Sequence, residues 1–288
     1  MTLPPIGLSM LRRFGRQRWL PFGLRDRILR KLADPDSMPS TPFNCAFFGL
    51  RYQGDLSSFI DWSVYFYGVY ELGILSFLRE ATRQAGPGAV VLDIGANVGQ
   101  HSLFLSAHAA RIHAFEPWQP ARDAILRNIG INRIENIEVH EVGLSDHAHD
   151  AVYYAPTLAN KGTGSFLAGH NLSNREAGRL PLVDGDSYLA ARGIDRVDVI
   201  KLDAEGFEPR VLAGLAGTIA RCRPVMVLEE NAASTDPIAF ERLGEGWERF
   251  TLAGGPEHYR LEPYLAPRDG ATVVLAPTEK ARALRPAG

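Results

Sequence analysis

The chain reads as an α/β protein: a mostly parallel central sheet with helices on both faces and an antiparallel edge strand. Two observations lead there. From Ala89 to Leu228 short apolar runs alternate with helical patterns, and such alternation implies crossover units that lay strands side by side in parallel. The runs themselves, Val90-Val91-Leu92 among them, are wholly apolar, as expected of strands covered on both faces. Hydrophobic residues make up 45% of the 288 and charged residues 22%. That is enough apolar matter for a core and too little charge for a disordered chain.

The elements follow in order. Pro35, Pro39 and Pro42 punctuate a linker, and Phe47 to Trp62 reads as short strands and turns. Tyr70 to Ala85 places Leu72, Leu75, Leu78 and Thr82 on one helical face, and Gly86-Pro87-Gly88 ends it. Strands are expected at Ala89–Ile94, Arg111–Phe115, Ile137–Val142, Val197–Leu202 and Val225–Leu228, with helices at Gln100–His108, Pro120–Asn128 and Glu208–Ala220 between them. Phe250–Leu252 and Thr272–Leu275 supply antiparallel edge strands. The division is a basic, helical and linker extension over 1–62 and one catalytic domain over 63–288, with a polar, lid-like insertion near 155–180.

Net charge is −2, from 31 basic and 33 acidic side chains, which argues against a nucleic-acid binder. The charge is uneven. Arg12 to Lys31 holds eight bases against Asp26, or +7, so the remainder sums to −9. Leu11, Phe14, Trp19, Leu20, Phe22, Leu24, Ile28 and Leu29 are interleaved with these bases. The segment reads first as a surface helix packed on the body, and second as a peripheral contact of residues 1–31 with an anionic membrane surface. No apolar run reaches the ~20 residues of a spanning helix, and no signal peptide is evident. Cys45 and Cys222 form no disulfide framework or metal knuckle. A cytoplasmic setting, extending to the inner face of the membrane, is the expectation; the oligomeric state is open.

The chief motif is Asp93-Ile94-Gly95-Ala96-Asn97-Val98-Gly99, where the first strand of the alternating region turns into a helix. Ligands of open α/β sheets bind at such turns. A dinucleotide fingerprint starting at Gly95 needs glycine at 97 and 100, where Asn97 and Gln100 stand. Asp93, pointing into the pocket, would repel a pyrophosphate and suit a cationic ligand such as the methionine part of S-adenosylmethionine. Glu116, at the tip of the next strand and followed by Pro117, is placed to bind ribose hydroxyls. Ser145 and Asp146, after the third strand, would lie near the adenine.

A second cluster, Lys201-Leu202-Asp203-Ala204-Glu205-Gly206, puts a lysine and two carboxylates at the top of the sheet. A lysine inside a strand is costly unless paired. Asp203, Lys201 and Glu205 are the first candidates for base or orienting group, Glu229 and Glu230 the second, and His258 or His170 would serve if its segment folds over the site. Carboxylates here could hold a hard cation, but nothing requires one, and no metal is assigned.

Taken together, the glycine motif, Phe115-Glu116-Pro117, Gly143-Leu144-Ser145-Asp146 and Ile200 to Gly206 resemble the FkbM-type family of S-adenosylmethionine-dependent methyltransferases, over roughly Tyr67 to Asn231. The resemblance implies a class I methyltransferase, Rossmann-like sheet, S-adenosyl-L-methionine as cofactor, and O-methylation of a hydroxyl on a sugar, polyketide or other small metabolite. It also places Glu71, in Gly68-Val69-Tyr70-Glu71, near the amino-acid end of the cofactor. One departure is Gly185 before Asp186, where the family more often has a Leu-Asp pair. The cofactor set is therefore Glu71, Asp93, Gly95, Ala96, Asn97, Gly99, Glu116, Pro117, Ser145 and Asp146. The segment Ala155–Arg179, bearing Asn160, Lys161, Thr163 and Asn171, reads as an acceptor lid. The competing readings are a Rossmann-type NAD-dependent oxidoreductase, disfavoured by Asp93, Asn97 and Gln100, and a non-catalytic cofactor-binding partner protein.

Overall fold

The computed structural model describes residues 5–156, 164–169, 173–230, 243, 245–255, 257–266, 268 and 270–284. His170, Asn160, Lys161, Thr163 and Asn171 lie outside them. Within the described residues the α/β expectation holds. Strands β3 (Val90–Ile94), β4 (Arg111–Phe115), β5 (Ile137–His140), β9 (Val199–Leu202) and β10 (Val225–Glu230) run parallel. Beyond β10 lie β13 (Ala271–Pro277), β11 (Trp247–Ala253) and β12 (Arg260–Pro263), each antiparallel to its neighbour, in the order β12-β11-β13-β10-β9-β3-β4-β5. The antiparallel edge expected from sequence, at 250–252 and 272–275, is thus a three-strand wing to which β12 is the addition. β12 is four residues with half its side chains exposed, too short to carry a period-2 signal.

Each face of this sheet carries its own core. On one, α4 (Leu72–Ala85) packs Leu75, Phe77 and Leu78 against Val91, Ile112, Val199 and Val227. On the other, Leu92, Phe115, Ile200 and Leu228 meet α8 (Glu208–Gly214) and α9 (Ala216–Cys222). The single helix expected over 208–220 is broken between these two. Gly214 approaches the Ser145 carbonyl so closely that a Cβ would stand 1.8 Å from it, and the next residue, Leu215, is fully buried. Asp186, at the departure from the family pattern, accepts from the amides of Gly217 (2.7 Å) and Thr218 (2.8 Å) and so caps α9. The remaining helices of the alternation are α5 (Gln100–Leu105) and α6 (Gln119–Asn132).

The basic N-terminal segment is a helical hairpin, α1 (Pro5–Gly15) and α2 (Phe22–Leu32), docked on the body. Leu8 and Leu29 enter a core with Trp62 and Phe66 of α3 (Phe59–Tyr67). Two of its bases turn inward: Arg25, fully buried, meets Glu257 at 2.7 Å, and Arg16 donates to the carbonyls of Val64 and Tyr65. The boundary expected at 62/63 therefore falls inside α3. The helix that spans it is fixed by burying Trp62 and Phe66. The hairpin β1 (Pro42–Phe47) and β2 (Leu50–Asp55) precedes α3. A three-stranded sheet of β6 (Gly143–Ser145), β7 (His149–Ala155) and β8 (Arg175–Asp184) brackets the insertion, and α7 (Gly185–Ala191) follows. No helix among the described residues is long and apolar enough to cross a membrane.

Candidate active site

The strand order reverses between β3 and β9, and their carboxyl ends open the crevice where ligands of such sheets bind. Register sets Asp93 beside Lys201 there. The Lys201 Nζ donates to the Gly95 carbonyl (2.9 Å) and lies 3.6 Å from Asp93 and 3.4 Å from Asp203. Burial alone would lower its pKa, but Asp203, then Asp93 and Glu71, outweigh burial and raise it. Lys201 is therefore a fixed cation that ties the glycine turn to the carboxylates. An amine held protonated accepts no proton, so of the two roles expected for Lys201, base or orienting group, this geometry suits the orienting one.

Asp93 differs from expectation in a related way. Its carboxylate does not point into the pocket; it is fully buried, bonded by the Ser102 hydroxyl at 2.6 Å, with Lys201 beyond. It lies in the floor under the crevice. Gly95 and Gly99 also serve the protein's own packing. A Cβ on Gly95 (φ +72°) would stand 1.8 Å from the Asp203 carbonyl, and one on Gly99 (φ +79°) 2.8 Å from Ile125. Each glycine admits a close neighbour across the turn.

A cavity on the β4 side is lined by Gly95, Asn97, Glu116, Pro117, Gly143 and Leu144. The Glu116 oxygens accept from the amides of Asn97 (2.8 Å) and Trp118 (2.9 Å). Burial nonetheless pushes its carboxyl up to about 7. Ser145 and Asp146 are not among the lining residues. Ser145 is buried and donates to Asp146 at 3.0 Å, and Asp146 is engaged by His147 and Arg210. Tyr153 of β7 and Phe166 of the insertion line this cavity, so the described part of the expected acceptor lid borders the Glu116 side.

The adjoining cavity gathers Glu71, Asp203, Glu205 and Glu229 around Lys201, together with Ala96, Asn97, Gln100 and His101. Burial and then the charges of Asp203 and Glu229 push Glu205 up to about 9. Burial and then Asp203 and Glu71 push Glu229 up to about 7. Burial would also raise Glu71, but its bond to His101 and the charge of Lys201 hold it below the ordinary range. Three residues of this cavity, Glu71 (φ 53°), Asn97 (φ 51°) and Glu205 (φ 50°), are non-glycine residues in the left-handed region. Such backbone is costly and gathers where a site demands it. Glu230, the other second-rank candidate, is turned away: its oxygens bond the Tyr264 hydroxyl (2.6 Å) and the Arg268 amide (2.7 Å). Strand alternation separates it from Glu229.

Past Tyr70 and Glu71 the crevice widens into a cavity of about 1120 Å³, counting the solvent at its mouth. Phe22, Asp26 and Arg30 of α2 form one wall; His258 and Tyr259 of the segment after β11 form another. His258 stands in this chamber, outside the Lys201 cluster. Sequence reading missed Tyr70, Gln100 and His101 as site residues. Gln100 accepts from the Tyr70 amide at 2.9 Å and His101 meets Glu71 at 3.4 Å. For Gln100 and His101 the available signal was their place on the first turn after the glycine motif, and for Tyr70 its place beside Glu71.

The cofactor expected from sequence fits this pair of cavities. Glu116 is a buried carboxyl group placed for a ribose diol, and the neighbouring cavity sets Glu71, Asp203 and Glu229 about Lys201, with Glu205 holding its proton near neutrality. Asp203, which lines both cavities, has its Oδ1 buried without a hydrogen-bond partner, polar capacity that a bound ligand or water would meet. Elsewhere, among the described residues, His113, Glu138 and His140 bring three potential metal-ligand atoms within 4.8 Å. His113 Nδ1 and His140 Nε2 are 3.0 Å apart, a hydrogen bond, and Glu138 already faces Arg111 and Arg192, whose charges oppose a cation.

Comparison with known proteins gives the family. The family profile described as the methyltransferase FkbM domain matches residues 93–266. The chain is 30% identical over 177 residues to the AMB antimetabolite synthetase AmbE of Pseudomonas aeruginosa, covering 49% of this chain and 8% of that protein. It is 27% identical over 167 residues to the hexuronic acid methyltransferase AglP of Haloferax volcanii, covering 58% and 65%. To the 31-O-demethyl-FK506 methyltransferase FkbM of Streptomyces tacrolimicus it is 29% identical over 157 residues, covering 45% and 60%. It thus spans less than two thirds of each of these relatives. Among solved structures, a methyltransferase FkbM from Methylobacillus flagellatus superposes with a TM-score of 0.45 at 15% identity, covering 65% of this chain and 43% of that one. With the profile spanning well over half of the sequence, and the crevice formed where that profile begins, the chain belongs to the FkbM family of methyltransferases.

Proposed function

We propose that the protein is an S-adenosylmethionine-dependent O-methyltransferase acting on a hydroxyl of a sugar, glycan or similarly hydroxylated metabolite. The observation that carries this reading is the ring of Glu71, Asp203, Glu205 and Glu229 about the fixed cation Lys201, at the carboxyl ends of β3, β9 and β10. S-adenosylmethionine, which Glu71 and Glu116 would hold, would supply an activated methyl group to the acceptor oxygen, its sulfur leaving as the thioether of S-adenosylhomocysteine.

The chain's own residues do the rest. Glu116, held by two amides, keeps lone pairs for ribose hydroxyls. Glu71, ionised through His101 and Lys201, faces the cationic end of the cofactor. Tyr153 and Phe166 exclude water on the nucleoside side. The acceptor enters from the other side, through the chamber walled by α2 and Tyr259, whose rings offer stacking faces and whose Asp26 and Arg30 offer polar partners. Alignment there supplies most of the acceleration. Glu205, protonated near neutrality, donates a hydrogen bond. Glu229, poised at about 7, accepts the hydroxyl proton, since a base works best with a pKa near the working pH. The relative named for hexuronic acid supports a sugar acceptor.

Calorimetry of the full chain with S-adenosylmethionine and with NAD tests the cofactor. Micromolar binding of the first alone is expected, and binding of NAD alone overturns the reading. Transfer of labelled methyl to a panel of sugar acceptors tests the chemistry, with a product heavier by one CH₂. Glu229→Gln is expected to keep cofactor affinity and lose about 10²-fold or more in turnover.

A further inference from the structure

We infer that the outer face of the N-terminal hairpin is a docking surface for an anionic phospholipid bilayer. Seven large apolar side chains are exposed among the described residues, and four of them, Met10 (70%), Trp19 (78%), Leu24 (43%) and Leu32 (52%), fall within this one hairpin. Exposed bases lie among them: Arg13, Arg18, Arg27 and Lys31. Among the described residues none of these four forms an ion pair. Apolar groups alone would suit a protein partner, and bases alone a polyanion. Their interleaving, with tryptophan at the tip, matches the boundary between headgroups and acyl chains.

The surface is rigid, not a tail. Arg25 donates to the carbonyls of Gly15 (2.7 Å) and Leu20 (3.1 Å) and to Glu257, locking the turn that carries Arg18 and Trp19. On α2, Arg25 and Leu29 face inward, while Leu24, Arg27 and Lys31, at i, i+3 and i+7, face out. The segment's +7 against −9 for the remainder orients the molecule: the hairpin is drawn to an anionic surface and the body is repelled by it. Docking would hold the mouth of the α2-walled chamber close to the lipid. The inference does not depend on methyl transfer, and its test reads lipid binding alone.

The experiment is flotation of the full-length protein with vesicles of phosphatidylglycerol and phosphatidylcholine, and with phosphatidylcholine alone, at low and high salt. At least about tenfold more protein should float on the anionic vesicles at low salt, and the excess should vanish at high salt. The double variant R27E/K31E, at exposed positions, should lose about thirtyfold or more in partitioning, on the scale of one lysine or arginine per roughly fivefold. Brominated anionic lipid should quench tryptophan emission in the native chain and not in Trp19→Phe. Circular dichroism checks that both variants are folded. Absence of flotation by the native protein, equal flotation on neutral vesicles, unchanged flotation of R27E/K31E, or unchanged quenching in Trp19→Phe would each overturn the inference. So would retention by RNA or a protein surface without any lipid partition.

Discussion

The two ends of the crevice are built on different plans. At the β4 end the groups about the key carboxylate are close in sequence: Gly95, Asn97, Glu116 and Pro117 span 23 positions, and backbone amides fix that carboxylate. At the other end the chamber draws Phe22 and Arg30 from α2 and Tyr259 from a segment more than 200 residues away. The first is a local device that a motif can spell. The second is a meeting of surfaces, and the choice of acceptor is proposed to lie there.

Several substitutions would break or sharpen that contrast. Gly95→Ala should have the largest effect. Its Cβ would fall 1.8 Å from a backbone carbonyl at a left-handed position, so a loss of about 4 kcal/mol or failure to fold is expected in chemical denaturation. A stability near native would show that the turn can open. Next comes Lys201→Met, which leaves buried Asp93 without its counter-charge and should cost about 3–5 kcal/mol. If the loss is instead under about 1 kcal/mol, Lys201 is not the tie between turn and carboxylates.

The pH response comes third. Glu205 rises from 4.5 to about 9 on folding, first through burial and then through Asp203 and Glu229. A raised pKa means that the folded state holds the proton more tightly than the unfolded chain. Stability from this group is therefore complete below 4.5 and is lost as pH climbs toward 9. Melting temperature of the ligand-free protein should fall across that window, and Glu205→Gln should flatten the fall. An unchanged slope in the variant would assign it to other groups. The smallest effect should come from Tyr259→Ala on cofactor affinity, a change of about twofold or less, because distant sites act independently. A larger loss in calorimetry would mean that the two ends are coupled.

What was legible in the sequence follows the same division. The parallel strands from Val90 to Leu228 could be read because continuous apolar runs have few other uses, and Arg111–Phe115 is a strand as expected. The carboxylates Glu116, Asp203 and Glu205 could be read because charges at strand tips are few. Orientation could not. Asp93 and Gly95 belong to the expected motif, yet one is a buried floor and the other makes room for a neighbouring carbonyl. That Lys201 is held as a cation by three carboxylates is a fact of proximity between strands that no spacing records.

By itself the amino-acid order determined the alternating layers and the turn at Asp93–Gly99, because hydrophobic period and glycine placement act over a few residues. Only the tertiary structure decided which carboxyls keep their protons, that Glu229 faces the crevice and Glu230 does not, and that a basic N-terminal hairpin walls a chamber shared with Tyr259. Those outcomes depend on burial and on charges brought together from distant parts of the chain, and electrostatic energy is set by distance in space.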